Sequence, residues 1–440
     1  MTTVHITNAY HPTSGGIRTA YNALIDEGNR AGRRVVLIVP GPSAATEDIG
    51  PFGRIYHLPA APAPAFDRRY RVIRPHQYFP GPTGRALVSI LEREQASLVE
   101  ICDKYSLPYL AAMLRKGWHR RVRRPVLVGL SAERFDDNMA AYLSGGAVAR
   151  SFTRWYIRHL YGPPFDVHVA NSEYTAGELR AALWDRPEGF IRVCPPGVDV
   201  AAFNARRRNA SLRATLLARA GGTPRSVLLF YAGRLSPEKN LSLLVGMMRV
   251  HAADRSRDYR LVLAGDGPCA EPLQSAAADL DGRVALIGAL DRETLADCCA
   301  SADVFVHPNP REPFGIGPLE AMASGVPVVV PGAGGVLEYA DDSNAWLADP
   351  EAVAFAAATR DAARGDAERV ACALTTARAF SLASAARRQF RLYDDLVATV
   401  DTGQSARQVL HHVRPPIELE GPVPAVHHHQ QSAGEVAGES

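Results

Sequence analysis

Residues 302–335, ADVFVHPNPREPFGIGPLEAMASGVPVVVPGAGG, constrain this chain more than any other stretch. An apolar run, Val304 to Val306, enters a loop rich in proline, glycine and charge. A short amphipathic segment, Gly317 to Ser324, follows, and a second apolar run, Val326 to Val330, stops at Gly332. This periodicity predicts strand, loop, helix, strand, with the loop at the carboxyl end of the first strand, where open α/β sheets hold their ligands. Two carboxylates bracket the loop. Glu312 lies inside it, and Glu320, eight positions on, falls about two turns along by a repeat of about 3.6 residues. Between them Gly315 and Gly317 let a ligand approach the backbone, and the N–H groups at a helix start suit an anionic, oxygen-rich molecule. The local chemistry is that of a site for a phosphorylated, polyhydroxylated compound.

The same residues form a longer pattern. Glu312-Pro313-Phe314-Gly315, seven residues between the two glutamates, and then Glu320-Ala321-Met322-Ala323-Ser324-Gly325-Val326-Pro327-Val328-Val329 resemble the signature of retaining glycosyltransferases of family 4. A carboxylate pair on an ordinary βαβ crossover would account for the charges but not for the Pro-Phe-Gly between them. The resemblance covers about residues 4–400 and implies an α/β chain of GT-B architecture, two Rossmann-like doubly wound domains facing a cleft. It assigns Glu312 to hydroxyls of the donor sugar, Glu320 to the ribose, and Pro313, Phe314, Gly315 and Ile316 to the wall of the donor site.

A second cluster lies upstream. The strand-like run Ser226 to Tyr231 opens into Ala232-Gly233-Arg234-Leu235-Ser236-Pro237-Glu238-Lys239-Asn240, which sets two cations beside a helix start. This G-R-L-x-x-x-K-N pattern also resembles the family, where the two cations bind the donor phosphates, a role that falls here to Arg234 and Lys239. Arg260 to Ala264 ends in Gly265-Asp266-Gly267-Pro268, and Val284 to Ile287 ends in Gly288. By resemblance both strand ends border the nucleotide. Near the N-terminus, Val4 to Ala9 reads as a strand, followed by a loop ending Ser14-Gly15-Gly16 and a helical run Ile17 to Asn29. Gly15 and Gly16 then face the donor diphosphate, although a tight turn alone explains them as well.

The segment Gly129 to Asn138, GLSAERFDDN, resembles the S-H-E-R-L-D segment of mannosyltransferase-like members, but Ala132 stands where those carry His. Three readings follow: a shifted alignment, substitution by Glu133, or a donor such as a pentose or deoxysugar with nothing to grip at its sixth carbon. A helix-start carboxylate is the bland account of Glu133. The run Asp166 to Ala170 into Asn171-Ser172-Glu173-Tyr174-Thr175 reads as a strand and a helix cap, and Val148 to Leu160 as a helix whose apolar residues are mostly core. Pro195-Pro196-Gly197-Val198-Asp199 is a further match, and Arg206 to Arg208 suit a domain boundary.

Residues 1–200 are thus expected to form the acceptor-side domain and 201–383 the nucleotide-sugar domain. The expected crossing helix is 384–400 and the disordered tail 401–440, where His427 to His429 form a solvated run. A net charge of +3 gives no support for nucleic acid as a partner. Six cysteines without a C-x-x-C pair read as buried thiols in a reducing compartment. No apolar run is long enough to span a bilayer, and no signal-like start precedes Val4. The expected location is the cytoplasm, with six Lys/Arg between Arg115 and Arg124, around Trp118, drawing the chain to an anionic inner membrane face. A solvated basic link accounts for that segment equally. Arg68, Arg69, Arg71 and Arg74, among Tyr70, Tyr78 and Phe79, form a second basic interval, equally suited to an anionic surface or a solvated loop.

The resemblance implies transfer of a hexose from a GDP-mannose or UDP-hexose donor to a hydroxyl acceptor, with retention. The acceptor class is a glycolipid, polysaccharide precursor or other glycoconjugate. No D-x-D pair stands at a strand end, so the expected enzyme carries no metal and no cofactor, and Arg234, Lys239 and Glu312 are the catalytic residues. A sugar-nucleotide epimerase of the same fold and a non-catalytic nucleotide-sugar-binding protein are the alternatives. Oligomeric state is not legible.

Overall fold

The structure, a computed structural model, describes residues 1–11, 15–62, 71–79, 85–142, 146–254 and 256–401. The expected tail beyond 401, Ser14, and Arg68, Arg69 and Tyr70 of the proline-rich interval lie outside the described residues.

Two sheets organise the chain. The first has eight strands in the order Ile191–Val193, Val167–Ala170, Val126–Ser131, Leu98–Cys102, Thr2–Thr7, Arg34–Gly41, Gly53–Pro59, Ala45–Ile49. Every neighbour pair is parallel except the last, where Ala45–Ile49 runs antiparallel to Gly53–Pro59 at the sheet edge. The second has six parallel strands in the order Val284–Gly288, Tyr259–Ala264, Val227–Ala232, Val304–Val306, Val328–Pro331, Trp346–Ala348. Helices cover both faces, which is why Val35–Val39 and Val328–Val330 are continuous apolar runs, buried on both sides rather than alternating. Val198 and Phe203 already pack into the core of the second unit.

Both sheets reverse direction at a topological switch point. In the first, the chain starts at Thr2–Thr7 in mid-sheet, builds outward one way, then returns to Leu98–Cys102 on the other side. In the second, it starts at Val227–Ala232 and returns to Val304–Val306. The loops after those strands are therefore side by side, in the crevice such folds use for ligands.

The final helix, Leu382–Asp401, crosses back onto the first sheet. It brings Tyr393 and Gln389 to Glu100, fully buried in strand Leu98–Cys102. Tyr393 Oη and Gln389 Nε2 donate to one oxygen of that carboxylate, and Tyr21 Oη donates to the other at 2.9 Å. His5 Nδ1 stands 3.0 Å from the oxygen that Tyr21 contacts. Burial pushes the Glu100 carboxyl up, but His5 and these donors more than offset it, and the group sits below its ordinary value. A buried carboxylate tolerates its desolvation only with partners of this kind.

Three sequence expectations change in detail. The segment read as amphipathic is helix Ile316–Ala323, and its buried residues are Pro318, Leu319, Ala321, Met322 and Ala323. Ile316, Gly317 and Glu320 are half-buried and form its one partly open stripe, because the helix is packed by strands on one side and helix Ala367–Ala379 on another. Glu320 is four residues past the helix start, just over one turn in, since the chain between Glu312 and Gly315 is loop. The helix expected to be mostly core, Gly146–Tyr156, leaves Val148, Phe152 and Trp155 exposed, because its buried side is only the flank of Ala149, Thr153 and Tyr156.

Candidate active site

Lys239 and Glu312 meet at the switch point of the second sheet. Lys239 ends the turn Pro237–Lys239 after strand Val227–Ala232, and Asn240, left-handed at φ 53°, redirects the chain into helix Ser242–Ala253. Glu312 lies in the loop after strand Val304–Val306. Lys239 Nζ donates to both its oxygens, at 2.8 and 3.1 Å, and Asn309 Nδ2 donates to one at 3.1 Å. His307 Nε2 stands 3.3 Å from that same oxygen. Burial pushes the Glu312 carboxyl up, but the Lys239 charge and His307 outweigh it and hold the group well below the usual carboxylate range.

The loop continuing from Glu312 is braced from behind. Gly335 N–H donates to the Glu312 carbonyl at 2.7 Å, and Tyr339 Oη donates to the Gly315 carbonyl. Gly315 has φ 85°, and a Cβ there would stand 2.7 Å from Val336 Cγ1, so only glycine turns the chain into the helix here. Phe314 puts its ring into the core against Tyr339 and Phe380, at 5.2 and 6.2 Å between centroids, which leaves its backbone to any ligand.

Arg234 is exposed in the loop preceding the Lys239 turn. That loop is stitched to the next strand end: Gly233 N–H donates to the Ala264 carbonyl and Leu235 N–H to the Asp266 carbonyl, each at 3.0 Å. Gly265 N–H donates to the Gly288 carbonyl at 2.8 Å, so the three strand ends named from the sequence form one continuous rim. Gly265 has φ 148°, and a Cβ on it would lie 1.8 Å from the Gly233 carbonyl oxygen. Gly265→Ala is expected to lower the melting temperature by about 5 °C or more, the cost of prising two backbone segments apart. A thermal melt unchanged from the parent would refute this account of the rim.

Glu320 differs from Glu312. Among the described residues its carboxylate accepts no hydrogen bond, and burial pushes it up to about 8, with Arg292 drawing it down and Asp199 adding to the rise. Arg292 itself joins the two halves of the chain: its guanidinium donates to Thr19 Oγ1 at 3.3 Å and to Asp199 at 3.1 Å.

The first unit faces this assembly. Gly15 precedes helix Gly16–Ala31 and accepts from Thr19 N–H at 3.2 Å. Gly16 abuts Ile316, whose Cδ1 lies 2.5 Å from where a Cβ would stand. The Asn171-Ser172 turn, read as capping and packing, does cap its helix, Ser172 Oγ accepting from Thr175 N–H at 3.1 Å, but it also crosses the cleft. Ser172 Oγ donates to the Pro313 carbonyl, as does Thr175 Oγ1 at 3.3 Å, and Glu338 accepts from Glu173 N–H at 2.8 Å. Glu133 is half-buried, with Tyr105 Oη donating to its carboxylate at 3.4 Å. The helix that follows it, Phe135–Tyr142, packs on the Pro237–Lys239 turn. Sequence reasoning missed Asn309, His307, Tyr339 and Arg292. Only the Asn309-Pro310 turn signal stood in plain view, and Asn309 does accept from Arg311 N–H at 3.0 Å.

The glycosyl transferases group 1 family model matches residues 219–375, which contain every one of these donor-side loops. A GDP-mannose-dependent alpha-(1-6)-phosphatidylinositol dimannoside mannosyltransferase of Mycobacterium tuberculosis is 31% identical over 390 residues, covering 88% of this chain and 94% of that protein. The chain belongs to the group 1 glycosyltransferases. A GDP-mannose-dependent alpha-mannosyltransferase of Corynebacterium glutamicum is 26% identical over 351 residues, 78% of this enzyme and 76% of the relative. Among solved structures, sucrose-phosphate synthase of Thermosynechococcus elongatus superposes with TM-score 0.69 at 21% identity, over 91% of this glycosyltransferase and 100% of that chain. Anabaena HepE with UDP-glucose gives TM-score 0.64 at 16% identity, over 90% and 100%. These likenesses show the GT-B fold, two Rossmann-like domains, and the expected architecture holds.

Of the six cations between Arg115 and Arg124, Arg115 and Arg124 both donate to Asp166 at 2.8 Å, so the segment is less charged outward than its sequence suggests. Among the described residues no helix is long and apolar enough to cross a membrane.

Proposed function

We propose that this enzyme transfers mannose from GDP-mannose to a hydroxyl of a glycolipid acceptor, with retention and without a resident metal ion. The observation that carries the reading is the Lys239–Glu312 pair at the switch point, beside the Gly315 turn and the half-buried stripe of Ile316, Gly317 and Glu320. In this reading the donor diphosphate takes Lys239 and Arg234, freeing Glu312 to accept hydroxyls of the sugar, while Glu320 accepts from the ribose. Glycine loop 15–16 covers the diphosphate, and Gly265 and Gly288 border the base. The bond from the anomeric carbon to the β-phosphate oxygen breaks as the acceptor oxygen attacks the same face. The acceptor proton passes to that departing oxygen, and the two cations hold the charge that develops on it. The donor assignment rests on the relatives, two of which are GDP-mannose-dependent mannosyltransferases, and the first acts on a phosphatidylinositol dimannoside.

Position 132 bears on the donor. The Ala132 methyl packs against the apolar cluster beneath the first sheet, and its carbonyl accepts from Asn171 Nδ2 at 2.8 Å. In this reading the neighbouring Glu133, whose following helix packs on the Pro237–Lys239 turn, is the residue that reaches the sugar. Glu133→Ala is expected to cut turnover of GDP-mannose about tenfold, the loss of one charged hydrogen bond, whereas Ala132→His leaves it within about twofold. A large gain in Ala132→His would reverse that assignment.

The deciding assay offers GDP-, UDP- and ADP-sugars with lipid-linked acceptors and follows diphosphate release and the anomeric configuration of the product by NMR. The reading predicts an α-mannoside formed at an unchanged rate in excess chelator. A β-product, or release that needs an added divalent ion, overturns the mechanism; a rearranged sugar nucleotide with no acceptor identifies the epimerase instead.

A further inference from the structure

Three of the chain's four tryptophans face solvent, all in the first domain. Trp118 is 53% exposed, Trp155 51% and Trp184 74%, whereas Trp346 is buried in the second domain. Trp155 meets His159 at 5.7 Å beside the Trp184 contact, and the Trp118 segment is tied to the same region through Arg115. Lys116 stacks on Trp118 at 5.7 Å, and Arg115 of the same segment donates to the Phe165 carbonyl and to Asp166. Four residues earlier the π-turn Ile157–Tyr161 ends, and its Arg158 lies over the Trp184 ring at 5.1 Å. Arg158, His159, Pro163, Leu183, Asp185 and Arg186 line a pocket of about 290 Å³ there.

Helix Gly146–Tyr156 carries this surface up toward the cleft. Val148, Phe152 and Trp155, followed by His159 in the π-turn, stand at i, i+4, i+7 and i+11, one apolar stripe, and the first three are exposed. Arg150, Arg154 and Arg158 at i, i+4 and i+8 form a second, basic stripe beside it, and the helix and π-turn contain no acidic residue. Across residues 115–124, 146–161 and 184–190 there are ten Lys/Arg, of which Arg115 and Arg124 pair with Asp166 and Arg158 with Asp185, and Glu188 is the one other acid in these segments. Aromatic contacts continue inward from the stripe. Phe152 stacks on Tyr156, Tyr156 meets Phe135 at 5.5 Å, and Phe135 meets Tyr105, the residue that donates to Glu133.

We propose that this flank, helix Gly146–Tyr156 with its π-turn, Trp184 and the segment around Trp118, seats on the surface of an anionic lipid bilayer. Indole rings partition to the headgroup level, where an apolar body and a polar N–H are both accommodated, and arginines around them neutralise anionic headgroups. The helix and π-turn together run about 24 Å, and the aromatic chain from Phe152 through Tyr156, Phe135 and Tyr105 connects this surface to Glu133. The proposal extends the glycolipid reading and rests on it only for the benefit of such a posture, not for the docking itself.

Flotation of the full-length protein with phosphatidylcholine vesicles, with and without phosphatidylglycerol at about one lipid in three, tests it. Binding is expected only to the anionic vesicles, with a blue shift of tryptophan emission and quenching by brominated lipid. The pair Trp155→Ser and Trp184→Ser should weaken partition at least about tenfold while leaving the melting temperature and GDP-mannose hydrolysis as in the parent. Equal binding to neutral vesicles, or undiminished binding by the double variant, overturns the proposal. So does a dimer abolished by the same substitutions, which would make the occupant a second copy, or binding that appears only after removal of residues 402–440, which would make it the tail. Failure of donor turnover with intact vesicle binding would instead sink the functional reading and leave this one standing.

Discussion

Lys239→Ala is expected to lower kcat/KM for the donor by roughly 30- to 1,000-fold, the 2 to 4 kcal/mol that one preorganised cation contributes to a departing phosphate. The structure adds a second consequence. Lys239 is the main cation holding the Glu312 carboxylate down, and that group is buried. Its folded-state value lies below the unfolded one, so its stabilisation is fully present above about pH 4.5 and fades as the pH falls. Removing Lys239 takes most of this stabilisation away near neutral pH and leaves a buried carboxylate with only Asn309 and His307 as polar partners, a change on the order of 2 kcal/mol. The variant should therefore melt lower than the parent at pH 7 to 8. Adding Glu312→Gln should restore the melting temperature but not the activity, because the amide needs no cation and cannot replace one. Arg234→Ala should show a comparable loss of activity. Parent-like donor turnover in both Arg234→Ala and Lys239→Ala would remove the leaving-group assignment altogether.

Glu320→Gln should move stability and donor binding in opposite directions. Burial pushes the Glu320 carboxyl up to about 8, from an ordinary value of 4.5. Between those values the folded chain keeps a proton that the unfolded chain has lost, so ionisation costs folding free energy that grows from pH 4.5 to 8 and is constant above. Glutamine removes that cost. The variant should match the parent below pH 4.5 and be more stable by roughly 2 to 4 kcal/mol at pH 8.5, read as a melting-temperature difference that widens with pH. Donor affinity should fall about tenfold or more, since a ribose hydroxyl donates more strongly to a carboxylate than to an amide. In the parent, the donor KM should rise as the pH drops below 8, and that dependence should be absent in the variant. A melting difference that is flat with pH would show that the carboxylate is not strained in the free enzyme.

Much of this was legible before any coordinates. The strand, loop, helix, strand order around Glu312 came from local periodicity, which depends on neighbours a few residues apart. The glycine at 315 and the cations at 234 and 239 were visible as types in a pattern. Trp155 was misread because a helix bearing aromatics at core spacing looks the same whether that face is covered or bare. Ser172 was read as a cap, and it is one, but the hydrogen bond to Pro313 spans 141 residues and two domains. Arg292 offered no signal, since its partners are Thr19 and Asp199.

By itself the amino-acid order determined the elements, the two-domain α/β class and the residue types of the donor loops, because each of these is written in short-range spacing. That Lys239 lies on Glu312, 73 positions away, was decided only when strand Val304–Val306 inserted beside Val227–Ala232 and set the two loops at one crevice. The different characters of the two carboxylates followed from the same step. Burial desolvates both, and only the one that meets a lysine across that crevice stays ionised without strain, because the charge that compensates it comes from a distant part of the chain.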